Sequence, residues 1–88
     1  MQTIRDIMEE ERLNRIEIFK EIFSDRLKEL RAERKWTQKT VARKLSCPVS
    51  TYANWEQGRT EPSIYDIFNI MWTFEIGANE LFDINHLI

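Results

Sequence analysis

The sequence holds one Cys, Cys47, and one His, His86, among 88 residues. No nucleophile, base and orienting group can be assembled around that pair, so the side chains do not point to an enzyme. A single Cys excludes an internal disulfide, and one Cys with one His cannot make a zinc site of the two-plus-two kind, so neither metal nor cofactor is expected. Cys47 reads as core filler, with a redox-sensitive thiol as the alternative. His86 reads as an ordinary tail residue.

The remaining chemistry is hydrogen bonding. Between Val49 and Gln57, helical spacing sends Tyr52 and Trp55 to one side and Ser50, Ala53, Asn54 and Gln57 to the other. A helix with an aromatic anchor face and a short polar face is built to present something. Asn can make a paired hydrogen bond to adenine and Ser can bond either kind of base pair, so these groups suit base edges.

Charge sharpens that reading. The net charge is −2, but residues 1–24 carry four basic and six acidic groups, residues 25–62 nine and five, and residues 63–88 none and four. A basic middle segment between acidic arms creates the local field on which phosphate attraction depends. A plain solvated basic face would look the same by charge alone.

Several elements must position these groups. With 42% hydrophobic and 32% charged residues, two Gly and two Pro, the chain is expected to be a helix-rich globule with one core. No apolar run approaches the roughly 18 residues of a membrane span, and the N-terminus lacks the pattern of a signal peptide, so a cytoplasmic location is expected.

From residue 3 to 22, Ile4, Ile7, Met8, Ile18, Phe19 and Ile22 fall within about 120° of one another at about 100° per residue, an amphipathic pattern. Glu9, Glu10 and Glu11 interrupt it and Leu13 lies off it, so the segment is one helix or two with a break. Ser24 is a candidate N-cap for a helix to about Lys35, with Leu27 and Leu30 inward. Thr37 caps a short helix carrying Val41, Ala42 and Leu45; Pro48 ends that helix and opens the next, which runs from about Val49 to Gln57 and stops at Gly58. Ser63 and Asp66 form a capping-box pattern for a helix to about Phe74, with Ile64, Ile67, Phe68 and Met71 expected inward. Asn79 to Phe82 suggests a last short helix, followed by an apolar tail with Ile84, Leu87 and Ile88.

Two short helices joined by a three-residue turn make a helix-turn-helix pattern. The stretch RLKELRAERKWTQKTVARKLSCPVSTYANWEQGRTEPSIYDIFNIM resembles the Xre family of phage-repressor-like regulators. The resemblance covers about two thirds of the chain. Its specific parts are Thr37-Gln38, Ala42 with Leu45, Trp55-Glu56, Gly58 and Pro62, each in family register.

The resemblance implies an all-α, five-helix phage-repressor-like DNA-binding domain over residues 23–82, with an additional N-terminal amphipathic helix in residues 1–22 and an apolar tail in residues 83–88. It places Val49, Ser50 and Asn54 where family members read bases, Gln38 on a phosphate, Arg59 and Thr60 in a loop near the backbone, and Arg31 with Glu56 as a buried structural ion pair. The turn departs from the family pattern: Ser46 stands where Gly is usual, Pro48 takes the N-cap position, and Val49 replaces a common polar residue. The third helix carries no Lys or Arg, so affinity is expected from Lys39, Arg43, Lys44 and Arg59. Thr37, Thr51 and Gln57 complete the expected phosphate contacts.

The function so implied is a sequence-specific regulator of transcription, most simply a repressor, acting as a homodimer on double-stranded DNA with half-sites about 34 Å apart. The alternative is a protein-interaction module on the same scaffold, antitoxin-like or partner-binding, with the acidic N-terminal helix as its working part. Tyr65 and Trp72 form an aromatic stripe that the core does not explain. Ile4, Ile7, Met8, Phe19 and Ile22 are expected to cover it, within the chain or across a dimer.

Overall fold

The computed structural model describes residues 2–82. Five α-helices follow one another: α1 (Ile4–Arg34), α2 (Gln38–Leu45), α3 (Val49–Glu56), α4 (Ile64–Phe74) and α5 (Ala78–Phe82). The tail residues Ile84, Leu87 and Ile88, and His86, lie outside the described residues.

Helix α1 is one unbroken rod of 31 residues, about 46 Å long at 1.5 Å per residue. Its start is a capping box: the Thr3 hydroxyl accepts from the Asp6 amide, and the Asp6 carboxylate accepts from the Thr3 amide. The expected break at Ser24 does not occur. Ser24 is buried inside the helix, and its hydroxyl donates to the Glu21 carbonyl at 3.1 Å, one turn back. A serine hydroxyl that finds a carbonyl within its own helix no longer competes to start a new one.

The core draws on every helix. Phe23, Leu27 and Leu30 of α1 meet Val41, Ala42 and Leu45 of α2, Tyr52 and Trp55 of α3, Ile70 and Phe74 of α4, and Leu81 of α5. Cys47 packs against this cluster, half-buried. Side chains close two helix ends: Asn69 Nδ2 donates to the Leu45 carbonyl at 2.9 Å, and Arg34 Nη2 donates to the Phe74 carbonyl at 2.8 Å. Each satisfies a terminal carbonyl that has no partner within its helix.

The buried face of α4 differs from expectation. Ile67 and Met71 pack inward with Ile70 and Phe74, but Ile64 and Phe68 are 89% and 56% exposed. The spacing 64, 67, 68, 71 recurs as 67, 70, 71, 74 three residues later, so periodicity does not choose between the two faces. Phe74 settles it by packing at a tilt beside Trp36, ring centroids 5.5 Å apart, with the Arg34 guanidinium over both rings. Ile64 and Phe68 then join Tyr65 and Trp72 on an exposed face.

The N-terminal part of α1 does not cover that face. Ile4, Ile7, Met8 and Ile18 stay exposed, while Ile16, Phe19 and Ile22 are half-buried. The within-chain arrangement is thereby excluded. A rod continuous with the anchored end of α1 cannot fold back onto α4 without a kink, and none of the usual causes of one, Pro or a Gly/Ser pair, lies within it.

Candidate nucleic-acid interface

Helix α2 begins at Thr37, whose hydroxyl accepts from the Thr40 amide at 3.0 Å. It ends at Ser46, which sits in the left-handed region at φ 60°, where the sequence departs from the family's Gly. Cys47 N–H returns to the Ala42 carbonyl at 3.0 Å, and Pro48 then caps α3, its carbonyl accepting from the Thr51 and Tyr52 amides. Proline has no side-chain acceptor to offer the first turn of α3. At the other end Gly58 takes φ 68°, and the Arg59 amide donates to the Asn54 carbonyl at 3.0 Å, which folds the loop carrying Arg59 and Thr60 back against α3. The helix closes at Glu56, one residue before the expected Gln57.

One carboxylate fixes α3 in place. Arg31 Nε donates to Glu56 Oε2 at 2.7 Å and Arg31 Nη2 to Glu56 Oε1 at 3.0 Å, a bidentate pair between α1 and α3. Gln38 Nε2 donates to the same Oε1 at 3.1 Å, which adds the start of α2, and Arg31 Nη1 donates to the Trp36 carbonyl. Glu56 is only 2% exposed. Burial, the largest single influence, raises its pKa, but the Arg31 guanidinium, the Tyr52 hydroxyl and the Gln38 amide together outweigh it and hold the carboxyl below its ordinary value. Three elements thus converge on one charged group.

With Tyr52 and Trp55 buried, α3 turns its other side to solvent. Val49, Ser50 and Gln57 are exposed, and Thr51 and Asn54 half-buried. The Asn54 side-chain amide makes no hydrogen bond among the described residues, so both its donor and acceptor edges are open. Gln38 uses one amide N–H on Glu56, leaving a second N–H and the oxygen.

The cations differ in their partners, and Arg5, Arg15 and Lys35 have no carboxylate within 4.0 Å among the described residues. On α1, Arg26, Lys28, Arg31 and Arg34 each have a carboxylate within 4.0 Å. Lys39, Arg43, Lys44 and Arg59 have none among the described residues, and all four are exposed. Lys39 and Arg43 share one flank of α2. Lys44 projects from another, its ammonium 4.7 Å from the centre of the Trp36 ring. Thr60 is exposed in the loop beside Arg59. Sequence reasoning missed the Gln38 link to Glu56 and the Lys44 contact with Trp36. Both depend on how helices pack, and no local spacing signals them.

A helix-turn-helix family model of the lambda-repressor-like type matches residues 27–78, more than half of the chain. The chain belongs to the lambda-repressor-like helix-turn-helix family. No curated protein and no solved structure matches it. The family is one of DNA-binding regulators and is generally non-enzymatic. Its match begins near the anchored end of α1 and reaches the start of α5, so the lambda-repressor-like segment contains the Glu56 clasp, the turn and α3, while the first 26 residues fall outside it. Among the described residues no three His, Cys, Asp or Glu side chains group as a metal site, and no helix is long and apolar enough to cross a membrane.

Proposed function

We propose that the chain binds a specific double-stranded DNA sequence as a homodimer in the cytoplasm and represses transcription there. The observation that carries this reading is the solvent-facing polar side of α3, clamped by the Arg31–Glu56–Gln38 contacts and flanked by cations without carboxylate partners. Asn54, with Ser50 and Val49, reads base edges in the major groove. Lys39, Arg43, Arg59 and the second N–H of Gln38 meet phosphates, with Thr37, Lys44, Thr51, Gln57 and Thr60 around them. Because α3 itself carries no cation, the phosphate contacts supply most of the affinity and α3 supplies the discrimination.

Selection of DNA by the purified protein from a genomic pool tests this. A palindromic site should emerge with half-sites about 34 Å, one turn, or a whole multiple apart. If a dimer neutralises about six phosphates, log K should fall against log salt with a slope near −5. Failure to enrich any site would favour a protein-interaction module on the same scaffold, a reading that the exposed apolar faces of α1 and α4 support.

A further inference from the structure

The N-terminal part of α1 carries a stripe with no function in the helix-turn-helix. Along one face run Ile4, Ile7, Met8, Glu11, Arg15, Ile18, Phe19 and Ile22, within about 120° at helical spacing. Ile4, Ile7, Met8 and Ile18 are 77%, 44%, 63% and 50% exposed. The face lies to one side of the surface by which α1 packs on the domain through Phe23, Leu27 and Leu30. Its residues from Ile4 to Ile18 are therefore exposed among the described residues, while Phe19 and Ile22 at the inner end are half-buried.

The stripe has an order that reads alike from both ends. One apolar residue, an apolar pair and a charge (Ile4, Ile7 with Met8, Glu11) are followed by a charge, an apolar pair and one apolar residue (Arg15, Ile18 with Phe19, Ile22). The two central charges have opposite sign. If two copies of α1 lie antiparallel about a twofold axis level with Leu13, Ile4 of one copy stands opposite Ile22 of the other, and Ile7 with Met8 opposite Ile18 with Phe19. Glu11 then stands opposite Arg15, twice. A parallel pairing would instead set Glu11 against Glu11 and Arg15 against Arg15, like charges in the middle of an apolar seam.

We infer that this face is a self-recognition surface, and that its occupant is the same face of a second copy of this chain, docked antiparallel. The inference rests on the homodimer of the proposed function and names its interface. Phe19 already stacks on Phe23 at 5.6 Å and leans on Phe82 at 6.1 Å, so the apolar ends of the seam continue into the core of each domain. Met8 of the second copy meets the outer side of that aromatic cluster, a contact that thioethers make well. The rise of the helix puts the two Arg31 side chains about 54 Å apart along the rod, so the domains stand at opposite ends and neither α3 is covered.

Charge reversal tests this in the full-length protein, with sedimentation reporting assembly and circular dichroism reporting helix content. Glu11→Arg alone and Arg15→Glu alone each place like charges at both central contacts, and each should weaken the dimer at least about tenfold with helix content unchanged. An equimolar mixture of the two variants restores opposite charges at both contacts and should assemble as a heterodimer about as tightly as wild type. The double variant should pair with itself. Wild-type self-association untouched by either reversal, or lost only on Trp72→Ala, would overturn the inference, as would a wild-type chain that stays monomeric with and without DNA. The mixing result does not depend on DNA, so failure of the DNA-binding reading would show separately, as an absence of any selected site beside an intact α1 dimer.

Discussion

The two ends of α1 are parts of one helix with opposite relations to the rest of the chain. From Phe23 to Arg34 it is held by three fully buried apolar side chains, by the Arg31–Glu56 pair and by Arg34 closing the end of α4. From Ile4 to Arg15 it has a sound cap and every side chain is exposed. Helical continuity is therefore not evidence of anchoring. Capping and intrahelical ion pairs such as Arg12 with Glu9, 2.7 Å apart, keep the exposed end helical, while packing decides which end belongs to the domain.

The largest expected effect lies at the anchored end. Arg31→Ala leaves the Glu56 carboxylate buried with Gln38 as its remaining partner, and should destabilise the fold by about 3 kcal/mol in chemical denaturation. Glu56→Ala should cost less, because the Arg31 side chain is about a quarter exposed and can turn its charge to water. Equal costs would mean that Glu56 is hydrated and the clasp weaker than its geometry indicates.

The same carboxylate makes a pH prediction. Its folded-state pKa is held down, so the stabilisation is fully present above the unfolded carboxylate value of about 4.3 and is lost as pH falls through the lower folded value. The stability advantage of wild type over Glu56→Gln should thus shrink below about pH 4.3 and be constant above about pH 5.5. A gap that does not change with pH would remove the ion pair as the source of stability.

The bare end should behave in the opposite way. Deletion of residues 1–14 removes no buried side chain among the described residues, so the denaturation free energy of the monomer should change by less than about 1 kcal/mol while self-association is lost. A large loss of monomer stability would show that the exposed stripe packs within its own chain.

The smallest effects concern helix ends. Lys35, Ser46 and Glu75 all hold left-handed conformations at φ 57°, 60° and 57°. Replacing any one with Gly relieves a strain of about 1–2 kcal/mol against an unfolded-state entropy cost of about 0.5–1 kcal/mol, for a net gain of about 0.5–1 kcal/mol in thermal denaturation. Ser46→Gly also restores the residue usual in the family turn.

What the sequence made legible was mostly local. Thr37, Pro48, Gly58 and the Ser63–Asp66 box each act within one turn of the chain, and each stands where spacing placed it. The Thr3–Asp6 box has the same pattern as Ser63–Asp66 and is equally local. Ser24 misled because its hydroxyl can cap a helix or bond back within one. The face of α4 misled because both sides are apolar at helical spacing, and only the Trp36–Phe74 contact selects between them. At the candidate site the residue types were legible, but the use of Gln38 by Glu56 was not. A contact between residues 18 positions apart requires the packed fold.

That use of Gln38 also decides the most direct test. A Gln38 substitution would disturb the clasp as well as any phosphate contact, so Lys39→Ala is the cleaner companion to Asn54→Ala. Binding of wild type and both variants should be measured on the selected site and on a scrambled duplex at one salt concentration. If α3 reads bases, Asn54→Ala should lose about 1–3 kcal/mol on the selected site and almost nothing on the scrambled one, while Lys39→Ala weakens both alike. Equal losses on the two duplexes for Asn54→Ala, or none on either, would contradict the account of α3 as the reading helix.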